Sequence, residues 1–306
     1  MKIWTRRTFL RHSAEAAALA STPWSKALVA QNTAATNTFP ANFFWGASTS
    51  AMQVEGSPYA DGGGRSIWAA FEAQPGTIKD HSTNWVADDE YNRYAEDVAH
   101  MRDLSFTAYR FSFGWPRIMP QGKGQPNPNA LAYYDRLIDD LLAAQITPIP
   151  TIYHFDLPEA LQQQGGWVHP DSSKWLAEYA QILGTHFSDR VTNWLTINEP
   201  NILWGLGSEA GRLAPALKLN ETDLVRGCHN LLLAHGRSVQ ALRAASKKPL
   251  KIALPFAGMF SLPASSSPQD IAAARAASCI SDSPPLGVRD LSGAGMLRLY
   301  CCIVFF

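Results

Sequence analysis

Little in this sequence points to a metal, a redox centre, a nucleotide or a membrane. Of its 306 residues four are cysteine, Cys228, Cys279, Cys301 and Cys302, a spacing that fits neither a zinc ligand set nor a compact disulfide framework. No His-x-His or His-Glu-x-x-His word occurs to put two imidazoles on one metal. Gly62-Gly63-Gly64 runs into Arg65-Ser66 instead of a Gly-Lys-Ser/Thr ending, so a phosphate-cradling loop is missing. Charge of one sign is missing too: 26 basic residues face 26 acidic ones, which leaves no global field to draw the chain to nucleic acid or an anionic surface. No run reaches the roughly 18 apolar residues of a spanning helix. No metal, cofactor, nucleic acid or membrane span is therefore expected, and oligomeric state is left open.

What is present is the composition of an ordinary folded protein, 46% hydrophobic and 17% charged. Ten tryptophans is a high count, and all but Trp4 and Trp24 fall between Trp45 and Trp204. Flat apolar rings there can pack a core or stack on sugar faces, the core being the commoner use.

The N-terminal segment Thr5-Arg6-Arg7-Thr8-Phe9-Leu10-Arg11, followed by an Ala-rich stretch to Ala30, has the form of a twin-arginine export signal. Residues 1–30 are expected to direct export to a periplasmic or extracellular location. Gln31 to Thr38 is small and polar, a linker composition, so the folded domain is expected to begin near Phe39.

From there short β-rich runs alternate with amphipathic helical stretches, the pattern of a parallel α/β sheet. Strands are expected at Phe43 to Ser50, Thr107 to Phe113, Thr147 to Phe155, Asn193 to Asn198 and Leu250 to Phe256. The third and fourth are nearly continuous apolar runs, as for strands covered on both faces. Helical steps link Leu131, Tyr134, Leu137, Ile138, Leu141 and Leu142, then Trp175, Tyr179, Ile182 and Leu183, then Leu224, Cys228, Leu231 and His235. A doubly wound sheet and a barrel share this alternation. Polar and aromatic residues crowd just past the strand ends, in Tyr153-His154-Phe155-Asp156 and Asn198-Glu199-Pro200, where a barrel carries its active-site loops.

Glu199 stands where an apolar strand runs into a loop. A carboxylic acid in such a place can protonate a glycosidic oxygen, provided a second carboxylate acts on the other side of the sugar. Taken alone, Asn-Glu-Pro is three residues, and a strand-end Glu is more often a surface or ion-pair residue.

The surrounding words change that balance. In order, Phe-Phe-Trp-Gly-Ala-Ser-Thr-Ser-Ala-Met-Gln-Val-Glu-Gly (43–56), Ser-Ile-Trp (66–68), Tyr-Arg-Phe-Ser-Phe-Gly-Trp-Pro-Arg-Ile (109–118), Tyr-His-Phe-Asp-Leu-Pro (153–158), Gly-Gly-Trp (165–167) and Thr-Ile-Asn-Glu-Pro (196–200) resemble the family-one glycoside hydrolases. The resemblance runs over roughly residues 39–278. It implies a (β/α)8 TIM barrel, of which about five strand-helix units are present, and a retaining β-glucosidase-like hydrolase acting on a small-molecule β-glycoside or oligosaccharide without cofactor. It also implies that Glu199 is the acid/base and that Asn198 holds the sugar 2-hydroxyl. Gln53 and His154 then read other ring hydroxyls, and Arg110 orients the nucleophilic carboxylate. Amides and an imidazole are suitable readers of a neutral, hydroxyl-rich ligand. Separately, Gln53 reads as a loop cap, His154 as a core histidine and Arg110 as a partner of a structural acid.

Two words depart from the family. Phe155 stands where Trp is common, and Leu213-Ala214-Pro215-Ala216 replaces His-Ala-Pro-Gly. The family's nucleophile belongs to a Glu-Asn-Gly word, and no such word occurs in residues 1–306. Residues 279–306 show no barrel periodicity and read as a non-matching tail, as a shifted frame or truncated gene would give. Two readings follow: an exported β-glycosidase represented by an incomplete, inactive chain, or a non-catalytic or unstable truncated remnant with weak sugar binding. A metal-dependent hydrolase on the same barrel ranks below both.

Overall fold

Parallel pairing of the short apolar runs builds the frame of the molecule. The computed structural model describes residues 39–277 and 298–303. The twin-arginine segment, the linker and most of the tail lie outside the described residues. The chain divides into two units, Met1–Phe43 and Phe44–Phe306. In the first, the rings of Phe39 and Phe43 pack 4.6 Å apart.

The second unit carries the sheet, with strands β1 (Gly46–Ser48), β2 (Ala108–Ser112), β3 (Thr147–Tyr153), β4 (Asn193–Ile197) and β5 (Lys251–Ala253). All neighbours are parallel and spatial order follows sequence order, which is the winding of a barrel rather than of a doubly wound sheet. The five expected strands are thus present, and the fold is an incomplete (β/α)8 barrel. Helices α1 (Glu90–Asp103), α2 (Pro128–Ala143), α3 (Ser172–Phe187), α4 (Glu221–Ala245) and α5 (Pro268–Ala277) fill the connections. Asn127 and Asn220 cap α2 and α4 by accepting the backbone N–H groups of Asn129 and Asp223, a satisfied first turn in each case.

Period-two alternation sorts the strand residues onto two faces. Tyr109, Phe111 and Phe113 point to the helices, and the Phe113 ring meets Tyr134 of α2 at 4.8 Å and Phe187 of α3 at 5.0 Å. On the other face Ala108, Ile149, Leu195 and Ala253, one from each of β2 to β5, form a separate small cluster, part of the layer that fills a barrel. Trp115, Trp167, Trp175, Trp194 and Trp204 are buried, so the core reading holds for these five. Leu142, expected on the buried stripe of α2, is exposed.

Backbone geometry trims the expected strands. Gly46 is required where β1 meets β2, because a Cβ there would lie 2.0 Å from the Ala108 carbonyl oxygen. The fifth strand stops at Ala253, short of the expected Phe256, since Pro255 has no N–H for a ladder and restricts Leu254 before it. The chain then re-enters extended structure as β6 (Phe256–Ser261), paired antiparallel with β7 (Arg298–Ile303). That two-stranded sheet, unlike the barrel ladder, has no counterpart in the expected strands.

Candidate functional site

A parallel sheet brings the C-terminal ends of its strands to one edge, and the singled-out residues lie along that edge. Gln53 sits in the short helix Ala51–Val54 that follows β1, Arg110 lies in β2, His154 follows β3, and Asn198 and Glu199 follow β4. Arg110 ties β2 to β3 and to the residue that follows β4: its Nε donates to Thr151 Oγ1 of β3 at 3.3 Å, and its Nη2 donates to Asn198 Oδ1. With that oxygen engaged, the Asn198 amide keeps its NH2 for an outside acceptor. The Asn198 N–H donates to the Tyr153 carbonyl at 2.9 Å, tying the ends of β3 and β4 together.

Burial, aided by the Arg110 guanidinium, pushes His154 down to about 3, so its imidazole is neutral at physiological pH. Its Nδ1 is buried and has no hydrogen-bond partner among the described residues. Gln53 is exposed, and its carboxamide oxygen accepts from the Ser50 hydroxyl at 2.6 Å. The structure thus brings Arg110, Asn198 and His154 together, with Gln53 and Glu199 on the same edge.

Glu199 is half-buried, and its backbone has φ 37° and ψ 63°. Phe155, beside His154, has φ 72°. Left-handed geometry at a non-glycine residue costs on the order of 1 kcal/mol or more and gathers at functional sites. Of the ten non-glycine residues with positive φ among the described residues, Phe155 and Glu199 are the two that fall at the ends of β3 and β4. The Glu199 N–H is held by the Pro255 carbonyl at 3.0 Å. Ala216 also has positive φ, 59°, at the position where the family word has Gly.

Sequence reasoning passed over the polar framework beneath the site. Glu55, two residues after Gln53, is buried and accepts from Arg117 Nε at 2.8 Å and from the Tyr134 hydroxyl at 2.5 Å. Arg117 also donates to the carbonyls of Gly56 and Ser57 and lies 4.1 Å from the Tyr91 ring centroid. Both charges are satisfied several times over, which a buried pair needs if it is not to be a net cost. Glu90 on α1 accepts from the Tyr109 hydroxyl at 2.5 Å, and burial pushes its carboxyl up to about 7. Glu55 and Arg117 both stand inside the matched words, but words carry no sign of which residues pair.

Asp156 is buried beneath the same edge. Its Oδ2 accepts the Trp115 N–H at 3.0 Å, and its Oδ1 has no partner among the described residues. Burial pushes its carboxyl up to about 7, against the pull of that N–H. A folded value above the ordinary 3.8 means stability that is full below about pH 4 and is lost as pH rises through 7. Asp156→Asn, which stays neutral and can still accept the N–H, is expected to raise the unfolding temperature by several degrees at pH 8 and to leave it unchanged near pH 4. Thermal unfolding at the two pH values checks this, and an equal change at both contradicts it.

Among the described residues no group of three His, Cys, Asp or Glu side chains is placed to hold a metal, and no helix is long and apolar enough to cross a membrane.

Comparison with known proteins identifies the family. The family model described as Glycosyl hydrolase family 1 matches residues 35–282. Over 237 residues the chain is 46% identical to β-glucosidase A of Thermotoga maritima, covering 78% of this chain and 53% of that one. It is 40% identical over 236 residues to myrosinase 1 of Brevicoryne brassicae, covering 76% and 51%. The solved structure of the Thermotoga maritima β-glucosidase in complex with deoxynojirimycin superposes with a TM-score of 0.74 at 46% identity, covering 78% of this chain and 54% of that one. The same enzyme in complex with glucoimidazole gives 0.73. The chain spans about half the length of the curated relatives it matches. With the matched region exceeding half of the chain and the barrel order of its strands, the protein belongs to glycosyl hydrolase family 1.

Proposed function

We propose that this protein is the acid/base-bearing part of a retaining β-glucosidase-like hydrolase whose substrate is a small β-glycoside or oligosaccharide. The observation that carries the reading is the Asn198-Glu199 pair at the end of β4, with Arg110 holding the Asn198 oxygen inside a family-one match. Glu199 gives its proton to the glycosidic oxygen as the bond breaks and takes one from water as the glycosyl-enzyme is hydrolysed. Asn198 offers its NH2 to the sugar 2-hydroxyl, where hydrogen bonds strengthen in the transition state. His154, neutral, and Gln53 read further hydroxyls. Arg110, charged at any working pH, orients the carboxylate that attacks the anomeric carbon.

That carboxylate is not identified within residues 1–306. Glu55 is buried in hydrogen bonds with Arg117 and Tyr134, Asp156 is buried with one oxygen on the Trp115 N–H, and Glu159 pairs with Arg65 at 3.2 Å. On this reading the 306-residue polypeptide by itself holds sugar through Asn198, His154 and Gln53 and does not turn it over. Titration with deoxynojirimycin tests the binding half of this reading: saturable binding that His154→Ala weakens at least tenfold supports it, and binding indifferent to His154, or none, contradicts it.

The basic N-terminal word supports export through a twin-arginine route, to the periplasm or beyond. Changing Arg6 and Arg7 together to Lys is expected to abolish export of a folded reporter fused to residues 1–38. An unchanged exported fraction rejects the assignment.

A further inference from the structure

Ser50 occupies the N-cap position of the short helix Ala51–Val54 and is 1% exposed. A serine in that place ordinarily turns its oxygen back to accept from the second or third N–H of the helix. Here the N–H groups of Gln53 and Val54 go to the Ser50 carbonyl at 2.9 and 3.2 Å, and the side chain makes no cap bond. The hydroxyl donates to Gln53 Oε1 at 2.6 Å. Ser50 and Gln53 stand at the N-cap and N3 positions, the spacing of a capping box, but here the buried hydroxyl serves the exposed Gln53 carboxamide instead of a backbone N–H.

The anchor is fixed from both sides. Before it, the Thr49 N–H donates to the Arg110 carbonyl at 2.9 Å, and Thr49 Oγ1 lies 2.6 Å from the Tyr109 hydroxyl. After it, the Ala51 N–H donates to Ser112 Oγ at 2.8 Å. All three partners belong to β2, the strand that also carries Arg110. An exposed glutamine has three torsions to order before it can read a ligand. With its oxygen held by Ser50, the carboxamide presents its NH2 outward in one orientation.

We propose that Ser50 is a positioning residue for sugar recognition, holding the Gln53 carboxamide ready to donate to a ring hydroxyl. The inference rests on the reading of Gln53 as a hydroxyl contact, and its test separates the two. The first arm uses no ligand. In the 306-residue chain, the Gln53 side-chain amide is assigned in a nitrogen-15 spectrum by its loss in Gln53→Ala, and its heteronuclear Overhauser effect is measured. In Ser50→Ala this value should fall to that of a solvent-exposed glutamine, and Ser50→Thr, which keeps the hydroxyl, should restore it. An unchanged value in a folded Ser50→Ala chain overturns the proposal.

The second arm is deoxynojirimycin binding. Losing one preorganising hydrogen bond should weaken it about 3- to 10-fold in Ser50→Ala, and less than about twofold when Gln53 is already Ala, as expected if the effect passes through the carboxamide. Equal weakening in both backgrounds overturns the role. Absence of binding by the unaltered chain would reject the sugar-site reading while the first arm still decides whether Ser50 positions Gln53.

Discussion

Purified as the 306-residue polypeptide, the protein is expected to release no aglycone from an aryl β-glucoside with an activated leaving group. A chimera in which residues 39–277 are continued by the C-terminal portion of the Thermotoga maritima β-glucosidase, the portion this chain does not match, is expected to hydrolyse it at least about 10⁴-fold faster. The activated leaving group makes the test specific. It relieves Glu199 of its proton transfer and leaves the demand on the nucleophile. Retention requires two carboxyl groups about 5 to 5.5 Å apart across the anomeric carbon; Glu55 is hydrogen-bonded within the core, Asp156 is buried with one oxygen on the Trp115 N–H, and Glu159 pairs with Arg65. The frame points the same way, since β1 and β5 are the outer strands of the sheet and β1 is exposed along its length, whereas a barrel core is made of layers contributed from all around the ring. Turnover by the polypeptide alone, abolished by a single change within it, would show that one of these carboxylates attacks after all.

In that chimera, Glu199→Gln should lower turnover of a glycoside with a poor leaving group by about 10² to 10⁴-fold. A substrate whose leaving group departs unprotonated should lose far less in the glycosylation step. The split follows from the place of the proton in the reaction, since a group that departs as a stable anion needs none. Steady-state and pre-steady-state rates across a series of aryl glycosides measure it. A loss independent of the leaving group would give Glu199 a structural role only.

Much of this architecture was legible because β3 and β4 announce themselves as apolar runs and parallel pairing demands a helix between strands. The expected strand Thr147 to Phe155 begins at the first residue of β3 and overruns its end at Tyr153 by two residues. Where the backbone departs from propensity the sequence was less informative. Phe43 to Ser50 reads as one strand, yet it pairs as β1 only over Gly46–Ser48. Leu250 to Phe256 is divided by Pro255 into β5 and the start of a differently paired strand. The antiparallel partner Arg298–Ile303 sits in a segment with no helical or barrel period to mark it.

For the site, position along the chain was legible and pairing was not. Asn198, Glu199 and His154 could be placed at strand ends from the apolar runs before them. That Arg110 takes the Asn198 oxygen, that Arg117 meets Glu55, and that Ser50 forgoes its cap for Gln53 are contacts between residues chosen by the packed backbone. The first two pairs are 88 and 62 residues apart, and spacing gives no hint of them; Ser50 and Gln53 stand at the spacing of a helix start, which does not say which of their atoms pair. The left-handed conformation of Glu199 is equally invisible, because nothing in Asn-Glu-Pro favours it and the surrounding fold imposes it.

The role of Glu199 as acid/base on a retaining path is tested most directly by azide rescue of Glu199→Ala in the chimera. A small anion can enter the space left by the carboxylate and attack the glycosyl-enzyme without needing a general base. With an activated aryl β-glucoside, added azide should restore much of the lost turnover and yield the β-glycosyl azide, identified by proton NMR. Turnover unaffected by azide, or an α-glycosyl azide, would contradict the assignment.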